Sequence, residues 1–322
     1  MLPVPAETPA GKGDEPGLID QGEKNPPRPR LALTVGVIGH RPRDLASFEA
    51  DADPAKRSLL RRRRLRKIVR DVQMVLDKIA DAASRTQRDH GKDFYRNQPG
   101  PILTLVSALA EGADSIAARA ALKRGFWLDA PLPFAAADYE KDFVHDPNDK
   151  SDPLPAGTAS ARTKKALAKF SRLLGQARRV LELPGERTPV TGNTKENARK
   201  RNRAYEAAGL TVISQADIVL AVWDGGLSRG RGGTAELVTE AARAGLPIIL
   251  VDARGERPIE IRWRNLMTLP APVVALEDLP TQSLGDGIQR VVAELVRLPA
   301  APKQREAYEF WFKERAHALI RV

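Results

Sequence analysis

The sequence predicts an α/β chain: a three-layer domain with a mainly parallel sheet and helices on both faces. Three observations predict it. Short apolar, β-branched runs alternate with amphipathic stretches of helical period, the order that strands and crossover helices take in βαβ units. The apolar runs are continuous rather than alternating, as expected of strands covered on both sides. Several of them end in glycines, small residues or acids, which suits turns at the carboxyl ends of such a sheet.

The first 30 residues carry Pro3, Pro5, Pro9, Pro16, Pro26, Pro27 and Pro29 among glycines and charges with no apolar period, and read as a disordered arm. Leu31–Gly39 follows as a buried strand. Leu65, Ile68, Val69, Val72, Val75, Leu76 and Ile79 fall at three- and four-residue spacing and draw one apolar stripe on a helix over Ala55–Ala83, whose opposite face is basic. A second strand spans Pro101–Ser107, an alanine-rich helix runs to about Arg124, and Trp127–Leu132 is a third strand. From Phe134 to Gly157 the chain mixes Pro, Asp and Lys without a period, which predicts a long loop holding a short helix near Ala137–Phe143. A helix over Ala161–Ala177, a strand over Val180–Leu183 and a charged loop over Thr188–Thr194 come next. Lys195–Ser214 is a helix, Asp217–Trp223 a strand, Ala235–Ala244 a helix stopped by Gly245, and Pro247–Asp252 a strand, together one βαβ unit. A weaker strand at Val273–Leu276 and a helix over Gly285–Leu298 close the domain, set at residues 31–300. Residues 301–322 form a terminal amphipathic helix, in which Tyr308, Phe310, Trp311 and Phe312 cannot share one face. It is either a packing helix or a contact to a second copy or an effector.

Composition narrows the chemistry. In 322 residues, 52 Lys and Arg against 41 Asp and Glu leave a net charge of +11, which admits nucleic acid, an anionic membrane surface or a phosphorylated small molecule as partner. With 42% hydrophobic residues the chain can bury a core, which excludes global disorder and fibrous designs. The absence of cysteine removes disulfides, thiolate zinc sites and cysteine nucleophiles. His40, His90, His145 and His317 stand in unrelated contexts, so no metal is expected, and no cofactor. No run approaches the roughly 18 apolar residues that span a bilayer, and no signal peptide opens the chain, so the expected location is cytoplasmic.

Ligands of parallel sheets bind beyond the carboxyl ends of the strands, beside helix N-termini. Three such ends carry suitable residues. In the first, Gly36 and Gly39 permit close backbone approach, His40 can cap or bind, and Arg41 can fork onto a phosphate. The second, Ser107-Ala-Leu-Ala-Glu111-Gly112-Ala-Asp114, places a hydroxyl and two acids at a helix start, where Asp114 equally serves the first turn. The third follows Trp223: Asp224, Gly225, Gly226, then Arg229-Gly230-Arg231-Gly232-Gly233-Thr234-Ala-Glu236. Its cluster of glycines between a strand and a helix predicts backbone amides facing an anion, with Thr234 as cap or donor and Glu236 or Asp224 accepting from ribose hydroxyls.

Val35-Gly-Val-Ile-Gly-His-Arg41, Val106-Ser-Ala-Leu-Ala-Glu-Gly-Ala-Asp114, and Asp217-Ile-Val-Leu-Ala-Val-Trp-Asp-Gly225 with Gly232-Gly-Thr-Ala-Glu236 together resemble the SLOG superfamily. That superfamily joins DprA-like DNA-processing proteins, LOG-type phosphoribohydrolases and the sensor domains of TRPM channels and bacterial antiviral systems. The resemblance covers most of Leu31–Asp252, with the motifs in order. It implies a Rossmann-like fold that recognises nucleotides or their derivatives. LOG-type enzymes carry Gly-Gly-x-Gly-Thr-x-x-Glu; here the third residue after Thr234 is Leu237, and Glu236 lies about 100° away around the helix. The expected function is therefore binding and sensing of a nucleotide-derived signal, ADP-ribose-like or cyclic, within a homo-oligomer or with an effector. The alternative is an N-glycosidic hydrolase with Glu236, Glu111 or Asp224 as its acid. A third reading, DprA-like binding of single-stranded DNA, draws on Arg61–Arg64, Arg66, Lys67 and Arg70, but such binding uses aromatic platforms and aromatics are only 5% here.

Overall fold

In the first strand Leu33, Val35 and Val37 enter one core while Ile38 enters another, so a single strand supplies both faces of the sheet. The computed structural model describes residues 28–42, 45, 54–90, 94–96, 98–145, 159–187, 194–226, 233–265 and 275–296. Its strands are β1 (Ala32–Gly39), β2 (Ile102–Val106), β3 (Trp127–Leu132), β4 (Arg179–Glu182), β5 (Ile218–Trp223), β6 (Ile248–Asp252), β7 (Glu260–Arg262) and β8 (Thr281–Ser283). Its α-helices are α1 (Pro54–His90), α2 (Ala113–Leu122), α3 (Ala136–Tyr139), α4 (Ala159–Leu174), α5 (Thr194–Ser214), α6 (Thr234–Arg243) and α7 (Leu284–Leu295).

The strands form one sheet in the order β4-β3-β2-β1-β5-β6-β7-β8. The first six run parallel, and β7 and β8 join antiparallel at one edge. The chain steps outward from β1 to β4, and α5 then carries it back to β5 on the other side of β1. The topological switch point is therefore the β1/β5 boundary, where the loops leave in opposite directions and open a crevice. Helices α1, α2 and α7 cover one face, and α5 and α6 the other. The apolar stripe of α1 is fully buried at Ile68, Val72, Val75, Leu76 and Ile79. Each such side chain contributes about 1.5–3 kcal/mol by leaving water.

Helix α1 runs one and a half to two turns beyond the end of its apolar stripe at Ala83. The cause is polar burial that is satisfied: Thr86 Oγ1 donates to Ala82 O at 2.9 Å and accepts from Gln289 Nε2 of α7 at 3.2 Å, while Gln87 Nε2 donates to Pro99 O at 3.1 Å. The strand expected at Val273–Leu276 is corrected for its described part. Ala275 N–H donates to the Asp278 carboxylate at 2.8 Å, and Leu276–Asp278 closes as a single 3-10 turn that sends Leu276 into the α5/α6 core. Strands β7 and β8 were not legible, since three residues each show no period. Residues 1–27, 146–158, 188–193 and 301–322, on which the expected arm, most of the two expected loops and the expected terminal helix fall, lie outside the described residues.

Candidate functional site

The ends of β1, β2, β5 and β6 converge on the switch point, and the glycines there are used by the chain itself. His40 N–H donates to Val222 O at 3.0 Å, tying the β1 loop to β5, and Ala113 N–H donates to His40 O at 3.1 Å, tying it to α2. Gly112, the N-cap of α2, has φ +113°, and a Cβ there would lie 2.4 Å from His40 O. A Cβ on Gly39 would lie 2.6 Å from the Ala113 methyl and 2.8 Å from Val222 O. These two glycines let the β1 loop and α2 meet at backbone distance. Gly36 stands apart from the crevice, packed against Val212 of α5 and Ala216 just after it.

At the β1/β5 boundary His40, Asp224 and Thr234 form a half-buried chain. The His40 Nε2 atom is 2.9 Å from Asp224 Oδ1, and its Nδ1 is 3.3 Å from Thr234 Oγ1. A carboxylate only accepts, so a hydrogen bond between this pair is donated by Nε2, while Nδ1 lies within hydrogen-bond distance of the Thr234 hydroxyl. Burial pushes the Asp224 carboxyl up, but the His40 hydrogen bond, the Gly226 N–H at 2.9 Å and the charge of Arg254 outweigh it and hold it below its ordinary range. Asp224 is thus an ionised anchor rather than a proton donor. Gly225, with φ +79°, turns the chain beneath Arg257, whose guanidinium lies 3.3 Å from where a Cβ would stand.

Thr234 opens α6, whose first N–H groups have no intrahelical acceptor, and its N-cap Gly233 has no side chain to supply one. Gly233 precedes it at φ −74°, ψ 158°, a conformation open to any residue, so nothing in its backbone demands glycine. Glu236 sits in the first turn of α6. Gly230 and Gly232 lie outside the described residues.

The second motif folds into a tight loop with Leu109 at φ +57°. Ser107 is fully buried, and its hydroxyl oxygen accepts from Leu109 N–H at 3.1 Å. The Asp114 carboxylate accepts from Ala110 N–H at 3.3 Å. Its burial raises the pKa to about 7 against the opposing pull of that N–H, of Arg41 and of the Ser107 hydroxyl. Glu111 Oε2 is 3.2 Å from His145 Nε2, close enough for charge attraction but not aligned as a hydrogen bond. Arg41 turns from the switch point toward α5: its guanidinium lies 4.9 Å over the Tyr205 ring and 3.9 Å from Asp142, and about half of its side chain stays exposed. Asp142 also accepts from Arg187 Nε at 2.8 Å and from the Tyr205 hydroxyl.

The structure therefore divides the predicted residues. His40, Asp224, Gly225, Gly233 and Thr234 share the crevice. Arg41, Ser107, Glu111, Gly112 and Asp114 form its β2 side.

Sequence reasoning missed the fourth strand end. After β6, Asp252 accepts from the N–H groups of Arg254, Glu256 and Arg257 at 3.3, 2.8 and 2.9 Å and from the Arg257 side chain at 3.1 Å. That loop sets two half-exposed arginines on the rim, with Arg254 4.0 Å from Asp224. The signal was present: an acid and Arg254-Gly255-Glu256-Arg257 directly follow an apolar run.

The fold class that emerges is a Rossmann-like α/β domain with its crevice at the switch point of a mainly parallel sheet. No family model matches the chain, and no curated protein matches it. Among solved structures, DNA processing protein A (DprA) from Streptococcus pneumoniae is similar at 13% identity and a TM-score of 0.30 over 86% of this chain. This chain spans 61% of that protein's length. Among the described residues no helix is long and apolar enough to cross a membrane, and no group of three or more His, Asp or Glu could hold a metal.

Proposed function

We propose that the chain binds a nucleotide or nucleotide-derived ligand in the switch-point crevice, with a phosphate at the N-terminus of α6. The observation that carries this reading is the first turn of α6 at the crevice, tied by Thr234 to the His40–Asp224 pair and rimmed by Arg254 and Arg257. The N–H groups at a helix start, the helix dipole and two guanidinium groups on one crevice favour an anion. Binding is preferred to glycosidic hydrolysis because Asp224, one of the acids that chemistry would draw on, is held ionised by His40 and Gly226. The role is that of a SLOG-like sensor, whose occupancy passes to another copy or an effector through the segment 301–322.

Calorimetry with ADP-ribose, AMP and cyclic AMP tests the reading, alongside chromatography for released base. At least one of the three should bind without release of base, and Gly233→Val should weaken it about tenfold or more, since a branched side chain would enter the anion position. The fold should persist, because the backbone at Gly233 accepts any residue. Unchanged affinity in the variant would move the phosphate elsewhere, and free base would restore the hydrolase.

A further inference from the structure

The run Arg61–Arg70 reads in sequence as one basic stretch, but the helix divides it. Arg64 pairs with Glu256 and Lys67 with Asp71, both fixed to neighbouring carboxylates. Arg61 and Arg62 do something else. With Leu65 and Val69, one and two turns further on, they line a cleft of about 380 Å³ between α1, α2 and α4. Arg119 of α2 and Lys169 of α4 face the same space. Arg61 is held there by donating to Pro42 O at 2.8 Å. No carboxylate lies within ion-pair distance of Arg62, Arg119 or Lys169 among the described residues. The lining holds one acid, Glu111, which leaves a surplus of three positive charges around a space the size of a small ligand.

Like charges gathered at a concave surface repel, and among the described residues of the lining only Glu111 opposes them. The half-buried Lys169 shows the effect: burial and the charges of Arg119 and Lys165 bring its pKa down to about 8, only partly opposed by Glu111. An anion would relieve the repulsion. The floor adds a second requirement, since Leu65, Val69 and Ile116 present an apolar surface between the cations. Bare inorganic anions would leave that floor wet, whereas a ligand with an apolar, planar body and a phosphate would fill both parts.

We propose that the cleft between α1, α2 and α4 is a second ligand pocket, receiving a phosphorylated small molecule of nucleoside mono- or diphosphate size. The phosphate meets Arg62, Arg119 and Lys169; the apolar body lies on Leu65 and Val69; Glu111 can accept from an amino or hydroxyl group. The pocket adjoins the β2 side of the crevice, with which it shares Glu111 and Gly112, but no residue of α6 lines it, so it does not depend on the reading given to α6.

The test uses the full chain carrying Gly233→Val, chosen to block the anion position proposed at α6. Calorimetry is run with ADP, with inorganic pyrophosphate and with a single-stranded dodecathymidylate. ADP should bind, and pyrophosphate more weakly. Arg62→Ala combined with Lys169→Ala should weaken both about tenfold or more, as loss of charge-assisted contacts does. Leu65→Ser, at a side chain already 39% exposed, should weaken ADP and leave pyrophosphate unchanged. No variant should melt well below the Gly233→Val parent, and Arg119→Ala provides a further exposed site should the double variant melt early. Three results would overturn the proposal. They are no ADP binding in the Gly233→Val background, ADP affinity indifferent to the cleft variants, or binding of the oligonucleotide alone, which would make the cleft part of a strand-binding surface.

Discussion

Replacing Asp114 by Asn tests the electrostatics of the β2 loop. Its carboxyl is buried beneath the first turn of α2 and titrates near 7, against an ordinary value of 3.8. The sign follows from proton counts. Between about pH 4 and 7 the folded chain keeps a proton on Asp114 that the unfolded chain has released, so folding stability falls as pH rises through this window. Below it both states are protonated, and above it the folded state carries a buried charge. One pKa unit corresponds to about 1.4 kcal/mol, so the displacement sets a ceiling near 4 kcal/mol, and relaxation of the loop leaves about 2–4 kcal/mol. Asparagine keeps the acceptor for Ala110 N–H and cannot ionise. Urea unfolding of both proteins between about pH 4 and 8 measures the difference, with contributions from all other groups cancelling. The variant should gain on the parent by about 2–4 kcal/mol over that range. Parallel stability curves would refute the reasoning and show that Asp114 is solvated or better paired than its position implies.

Gly112→Ala should lower stability by about 3 kcal/mol or more in a thermal melt, since its Cβ would meet His40 O at 2.4 Å from a left-handed backbone. Lys169→Met should stabilise the ligand-free chain by about 1–2 kcal/mol at neutral pH, because solvent screens part of the repulsion. Its folded pKa of about 8 lies below the ordinary 10.5, so both states are charged at neutral pH and the folded one less comfortably; the gain should fade as pH climbs from about 8 to 10.5 in chemical denaturation. Arg41→Ala should reduce affinity for a ligand in the crevice by about 1.5–3 kcal/mol if its exposed guanidinium swings from Tyr205 and Asp142 onto a phosphate, with Lys rescuing in part. Calorimetry showing parental affinity would leave Arg41 as a tie between the β1 loop and α5.

Much of this architecture was legible because it depends on local pattern. A continuous apolar run such as Ile218–Trp223 cannot rest against water on either face, and the stripe from Ile68 to Ile79 has one stable conformation when a sheet is beside it. The three strand-end motifs announced where the crevice would open, because a glycine after a buried strand marks a turn whatever surrounds it. What each glycine does was not legible. Gly39 and Gly112 look the same in sequence whether they clear room for a ligand or for another strand of backbone, and only the packing of His40 and Ala113 decided for backbone. The same limit applies to charge. Asp224 is a candidate acid in the sequence, and its ionised state is set by His40, 184 residues away. The arginines of α1 form one run, yet Arg64 finds Glu256 across the fold while Arg62 turns to a cleft shared with Arg119 and Lys169. Periodicity is a property of neighbours along the chain and survives translation into structure, whereas protonation, pairing and cleft lining belong to residues that only tertiary folding brings within a few ångströms.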